Sequence, residues 1–408
     1  MQDRAAIRTG FLSAGNTQIR MNRFSTSTLP LYRRLLAMLL LLVVPPATAG
    51  AQDVAPPLFS AVTGEAGPEP VSTPLPTPEM QADSLSSKTA ASATDSADTA
   101  VHGITGIAPE SNSLEMDDFP RLEPSEYLYA GRQRYTLSGQ MPYRETHIKS
   151  GTMMAFGGAL LGLATAITWY QQAWYPDSTL SPFHFQTDWG YSKGYDKAGH
   201  MFGGWMSSYC SYEAFIASGL SKDDAAIWGA AGGIFFQTFM EVQDGFHTYG
   251  FDWTDAVSNV IGAGYFYAQQ KVPFLQNFDP KWSVGPTGRD SAREAAQIRQ
   301  RIIVDDYDRQ DAWLSAKVHN LLPANLQPYW PKWLQLAVGA GARDVELRGY
   351  YAYRTLHIAL DYDLLEMLPD MGSFGNWLIQ GLNHFKFPAP ALQVWPKVQF
   401  KLLYPFSL

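Results

Sequence analysis

The chain has 408 residues, 46% hydrophobic and 13% aromatic, and carries a formal charge of −8. That much apolar material excludes a wholly disordered chain. The acidic balance, without any Lys/Arg-rich run, excludes nucleic acid as an expected partner, because phosphate binding needs clustered positive charge.

Residues 1–51 read as an export signal. Arg33 and Arg34 precede an uncharged apolar run, 35–44, then two prolines and the small residues "ATAGA", which offer A-x-A cleavage sites. The run is too short to cross a bilayer, so a cleaved signal is expected, with Met21 as the expected true start. Cys210 is the single cysteine, which leaves no intramolecular disulfide and no lipid-bearing cysteine after the signal. Residues 52–116, with "PEPVSTPLPTPE" and "SSKTAASATDSADTA", are too poor in apolar side chains to offset their ordering entropy and are expected to be a tether.

The folded part divides by pattern into a helical core, 117–275, and a region, 276–408, that opens as a polar excursion and ends β-rich. Four helices are predicted in the core. The first, about 148–174, contains "GTMMAFGGALLGLATAITWY", uncharged and long enough to cross a hydrocarbon core. The second, about 196–218, ends near Gly219. The third follows Ser221, whose hydroxyl with Asp224 three residues on makes an acidic variant of the capping box, and runs to about 244. The fourth starts from Asp252 as N-cap, with Asp255 at N3, and runs to about 270, before Pro273. Short connections favour antiparallel neighbours.

In the second region an amphipathic helix is expected over 291–303. Thereafter the period switches to two, in "LQLAVGAGA", "RTLHIALDYDLL" and "LQVWPKVQFKLLYPF", where Val394, Pro396, Val398, Phe400, Leu402, Tyr404 and Phe406 are expected on one face. That makes about three or four strands, against about eight in the smallest membrane barrels. The expected fold is mainly α with a small β part (α+β): an antiparallel four-helix hydrophobic bundle followed by a small antiparallel sheet.

At helical spacing the second helix places Asp196, His200, Gly203, Ser207 and Ser211 on one face, polar residues first. The third places Ala230, Gly233, Gln237, Glu241 and Asp244 on one face, acids last, and the fourth Asp255, Asn259, Gly262 and Phe266. In an alternating bundle Asp196, His200, Gln237, Glu241, Asp244, Asp255 and Asn259 converge at one end. The small residues beyond them let the backbones approach, with Gly203 expected to admit the third helix. Lys197 is expected to point off this face, toward a headgroup, phosphate or carboxylate at the rim.

The convergence admits several readings. One is a polar mouth that takes a lipid headgroup, with Trp169, Tyr170, Trp174, Tyr175, Trp189 and Trp205 as interfacial aromatics. A second is a metal site from His200, Glu241, Asp244 and Asp255, although no H-x-x-x-H or E-x-x-H pair is present. A third is acid–base chemistry by a desolvated Glu241 or Asp196 with His200, although no nucleophile motif is present. The plainest is that the polar groups satisfy one another, Asp252 and Asp255 capping the fourth helix. Non-catalytic binding of an envelope lipid or anionic glycolipid, or a structural role in the envelope, is the expected use, with a metal- or acid/base-dependent enzyme acting on a lipid or cell-wall precursor as the alternative; no metal or cofactor is assigned, and a membrane or envelope lipid is the expected partner. Cys210 is expected to be a small packed hydrophobe and His247 a solvated loop residue; His357 is assigned nothing.

"DKAGHMFGGW", "QTFMEVQDGF" and "GFDWTDAVSNVIGAG", with "PKWLQLAVGAGA" and "FKFPAPAL" downstream, resemble the YfiM-like family of envelope lipoproteins of unknown function, over residues from about 170 onward. The set is also distantly similar to the VanZ-like membrane proteins, whose D-K-x-x-H, E-x-x-D and D-x-x-x-N elements would fall on Asp196, Lys197, His200, Glu241, Asp244, Asp255 and Asn259. The resemblance implies a periplasmic, membrane-associated protein and makes envelope lipid handling the expected theme.

Overall fold

Capping chemistry sets the helix limits. Ser221 accepts the Asp224 amide at the start of one helix and Asp252 accepts the Thr254 amide at the start of the next. Gly219, at φ +92°, ends the helix before them, where a Cβ would fall 1.9 Å from the His147 carbonyl oxygen. In this computed structural model, residues 119–174, 181–285, 306–345 and 351–406 are described. The signal, the tether and the helix expected over 291–303 lie outside the described residues.

Among the described residues four long helices result: α1 (Ser150–Trp174), α2 (Tyr195–Ala217), α3 (Lys222–Gly245) and α4 (Trp253–Lys271). Only three of them make a bundle. Helix α2 packs on both α3 and α4, and the approach is closest where a Cβ on Gly204 would sit 2.1 Å from the Asn259 carbonyl oxygen and one on Gly262 1.9 Å from that of Met201. Gly203 faces the Gln237 side chain instead. Helix α1 stands aside, with 11% of its span Ser150–Trp169 buried, so the expected four-helix bundle is not what forms. It has small residues at helical spacing, but a Cβ on Gly151, Gly158 or Gly162 would meet nothing within 4 Å, so no neighbouring helix packs against them. A Gln243–Thr168 hydrogen bond and one from the Lys149 amide to the Ser218 carbonyl (2.8 Å) tie it on.

The sheet is larger than expected. Strands β5 (Phe278–Val284), β6 (Gln310–Ala316), β7 (Leu334–Arg343), β8 (Tyr353–Tyr362), β9 (Ala389–Trp395) and β10 (Gln399–Tyr404) form one antiparallel meander in chain order. Two-residue strands β1 (Leu128–Tyr129) and β2 (Arg132–Gln133) make a hairpin, and β3 (Phe185–Gln186) pairs in parallel with β4 (Phe251–Asp252). The stretch read as a polar excursion supplies β5 and β6, whose alternation was hidden because their inward residues are charged. "LQVWPKVQFKLLYPF" is a hairpin, β9 and β10, and a register shift between Lys401 and Tyr404 turns Tyr404 inward, away from Phe400 and Leu402.

Helices and strands belong to one compact unit. Tyr195 packs on Trp282 (ring centroids 5.6 Å), and Trp205 on His384 (4.5 Å), so no gap falls at residue 275. A helix, α5 (Gly372–Leu382), joins through Trp377, which donates to Glu213 (2.9 Å), itself paired with Arg134 (2.8 Å). Three side chains depart from expectation. Trp205 is a core residue that donates to Gln269 (2.6 Å) rather than an interfacial one, Cys210 is exposed, and His247 is buried on the Gln243 carbonyl (2.7 Å).

Candidate functional site

The start of α2, the end of α3 and the start of α4 do meet. Asp196, Lys197, Glu241, Asp252, Asp255 and Asn259 are all buried there, while the His200 side chain keeps 24% of its surface open. His200 Nδ1 lies 3.2 Å from Glu241 Oε1 and 3.3 Å from Asn259 Oδ1, and Nε2 lies 3.7 Å from Asp196 and 3.6 Å from Asp255. Asn259 Nδ2 donates to Glu241 Oε1 (3.2 Å), bridging α4 to α3. Gln237 is set back one turn before Glu241 and donates to Ser207 (2.9 Å), so it supports the helix contact more than the cluster. Asp244 is half-buried, and its charge acts on Glu241.

Lys197 does not point to the rim. Its ammonium is ion-paired to Asp255 (2.5 Å), Asp196 (3.0 Å) and Asp252 (3.3 Å). The first turn of α2 is preceded by a left-handed bend, Ser192, Lys193 and Gly194 all at positive φ, which lets the chain enter with Lys197 facing the start of α4. Two members escape a reading of helical stripes. Asp252 is more than a cap: it takes Thr254 and the Asp188 amide as well as Lys197. Tyr307, 111 residues beyond Asp196, donates its hydroxyl to Asp196 Oδ1 (2.5 Å). The first was visible as an acid one turn from Asp255; nothing in the sequence pointed to the second.

Burial, followed by the Asp255 and Asp244 charges, pushes the Glu241 carboxyl up to about 9. Burial and Asp196 likewise raise Asp255, to about 8, against the pull of Lys197. Burial lowers His200, so its ring is neutral at pH 7. Burial works against the Lys197 charge, yet Asp255 and Asp196 outweigh it and the group is held protonated. The cluster at neutral pH therefore offers the protonated Glu241 carboxyl as a hydrogen-bond donor, a neutral imidazole and a lysine neutralised by the aspartates around it.

An aromatic rim adjoins it. Phe185 on β3 stacks on Trp253 at the head of α4 (centroids 5.5 Å, 9° between planes), both more than half exposed, and Trp189 lies open nearby in sequence. Trp169 is exposed on α1; Tyr175 and the side chains of Tyr170 and Trp174 lie outside the described residues. For a metal, ligand atoms of Asp196, His200 and Asp255 come within 4.8 Å of one another. Lys197 already lies against two of those three, so a divalent ion would have to displace its ammonium.

Residues 184–271 match the model of a family described as "Predicted periplasmic lipoprotein (DUF2279)". That span is shorter than the resemblance read from the sequence, and every cluster residue from Asp196 to Asn259 lies inside it; Tyr307 lies outside. The match supports an exported envelope protein. No curated protein and no solved structure matches the chain.

Proposed function

We propose that this is an envelope protein that holds the oxygen-rich head of an envelope lipid at the α2–α3–α4 cluster, with the Phe185–Trp253 rim against the first part of the tail. The single observation that carries the reading is a partly open imidazole, backed by the neutral Glu241 carboxyl, beside exposed stacked aromatics. Neutral carboxyls donate to hydroxyl and phosphoryl oxygens alike. With Lys197 committed to three aspartates, a hydroxyl-rich glycolipid head suits the cluster better than one recognised by charge alone.

Mass spectrometry of lipid that copurifies with the detergent-extracted protein tests this. A stoichiometric lipid, lost in His200→Ala and Glu241→Ala at unchanged melting temperature, is the expected outcome; wild-type protein with no lipid, or variants that keep it, would sink the reading. The spacing of Asp196, His200 and Asp255 favours a second reading, a metal-dependent envelope enzyme. Stoichiometric zinc or manganese in protein purified without chelator, and lost in His200→Ala, would establish that one instead.

A further inference from the structure

The sheet is inside out for a protein surrounded by water. Across the inner face, successive strands contribute Asp279, Ser315, Ala337, Ala359 and Ala391 in one cross-strand row, and Lys281, Trp313, Gly339, His357 and Gln393 in the next. The charged members are buried and paired, Lys281 with Asp361 (2.8 Å) and Lys317 with Asp279. Between these rows, pointing the other way, runs a row of Pro280, Leu314, Val338, Ile358, Leu392 and Phe400, one from each of the six strands. Leu314, Val338, Ile358, Leu392 and Phe400 are 42%, 57%, 48%, 38% and 68% exposed. A half-solvated antiparallel sheet normally has the opposite sense, apolar in and polar out.

The sheet also nearly closes on itself. Arg343 on β7 donates to Asp311 on β6 (2.6 Å) and to Tyr404 on β10 (2.7 Å), and Tyr404 donates to Asp311 in turn, so the sixth strand meets the second across the interior. The outer edge of β5 is not bare: the Trp282 amide donates to the His384 carbonyl (3.0 Å) and the Lys386 amide to the Trp282 carbonyl (2.8 Å). At the far end a Cβ on Gly285 would lie 3.4 Å from Pro405, just past β10. Curling, edge pairing, a polar filled interior and an apolar exterior are what a β-structure needs where no water can satisfy its backbone.

We infer that the convex face of the six-stranded sheet is seated in the hydrocarbon of a lipid bilayer. Strands β7 and β8 have ten residues each, the length of a tilted strand that crosses about 30 Å of hydrocarbon. Exposed aromatics stand at both ends: Trp333 just before β7, and Trp395 and Tyr351 at the opposite end, as in the girdles of membrane strands. At the β5 corner Trp282, Ala312 and Ala342 of this face are covered by Tyr195 and Phe202 of α2; the open part runs from Leu314 through Val338, Ile358 and Leu392 to Phe400, and lipid is its occupant rather than protein because that exposure is continuous over five adjoining strands. The side chains inside fill the curl, so the fold is an embedded anchor and not a channel. The inference does not depend on what the cluster binds.

The test uses the full chain with Cys210→Ser, reconstituted in vesicles of phosphatidylethanolamine and phosphatidylglycerol. Leu314→Cys, Val338→Cys and Ile358→Cys are spin-labelled one at a time, so no single misfolded variant decides, with Glu145→Cys as the exposed control. Relaxation by dissolved oxygen should exceed relaxation by a water-soluble nickel chelate several-fold at the three strand positions, and the order should reverse at residue 145. Chelate access dominating at the strand positions would place the face in water. Exclusion of both reagents would place it under protein, a second copy or another segment of this chain. Either result overturns the inference.

Discussion

Glu241 is the residue on which the state of the cluster turns. Its folded-state value is raised to about 9 from an ordinary 4.5, so between those limits the folded chain holds a proton that the unfolded chain has lost. Stability must then fall as pH rises through that window and level off above it. Asp255, raised to about 8, adds a slope of the same sign. His200, lowered, works the other way, but only below its unfolded value near 6.5. Above pH 6.5 the carboxyls act alone among these three. Melting temperature in detergent should therefore decline from pH 6.5 to 9, and Glu241→Gln, which mimics the neutral form, should flatten the decline and melt above wild type at pH 9. Identical slopes would show that Glu241 is ionised in the fold.

At the scale of elements, the meeting of α2 with α4 rests on two glycines without room for a methyl group. Gly262→Ala would drive a Cβ to within 1.9 Å of the Met201 oxygen, and the helices must part; a loss of about 3 kcal/mol or more is expected from calorimetry. Gly264, two residues on with nothing within 4 Å, is the control, and Gly264→Ala should gain about 0.5–1 kcal/mol through helix propensity. The helices and the convergence of Asp196, His200, Glu241, Asp255 and Asn259 were legible in the sequence because caps and helical spacing are local. The direction of Lys197 was not, because it depends on a positive-φ bend whose residues include Ser192 and Lys193, which carry no turn signature. Strands β5 and β6 were illegible for a different reason: Asp279, Lys281 and Asp311 look like surface residues until their partners, 30 to 80 positions away, are known. Tyr307 was beyond reach of any spacing rule.

For the whole molecule, a buried ionic lattice stands beside a small apolar cluster of Trp313, Ala337, Ala359, Ala391 and Tyr404 beneath the sheet. Lys281 and Asp361 are each 1% exposed in their side chains and pair at 2.8 Å, with Lys386 at 3.9 Å from the same carboxylate. Lys281→Met would remove one cation and leave Asp361 leaning on the other, at a cost of about 3 kcal/mol, the low end for a broken buried pair because Lys386 stays. Denaturant unfolding in detergent should show it; a variant as stable as wild type would mean that the lattice fixes geometry without contributing stability.

The Tyr307 hydroxyl carries a consequence for any dissection of the chain. Asp196 belongs to the helical half, yet one of its oxygens is served by a phenol that enters with β6. A fragment stopping at the last helix would keep every acid and the histidine but lose that donor, and the Asp196 charge would be free to draw Lys197 and His200 toward itself. The helical half and the strand half are thus not separable cassettes, and a displacement of the strands would be felt first at the carboxylate that opens α2.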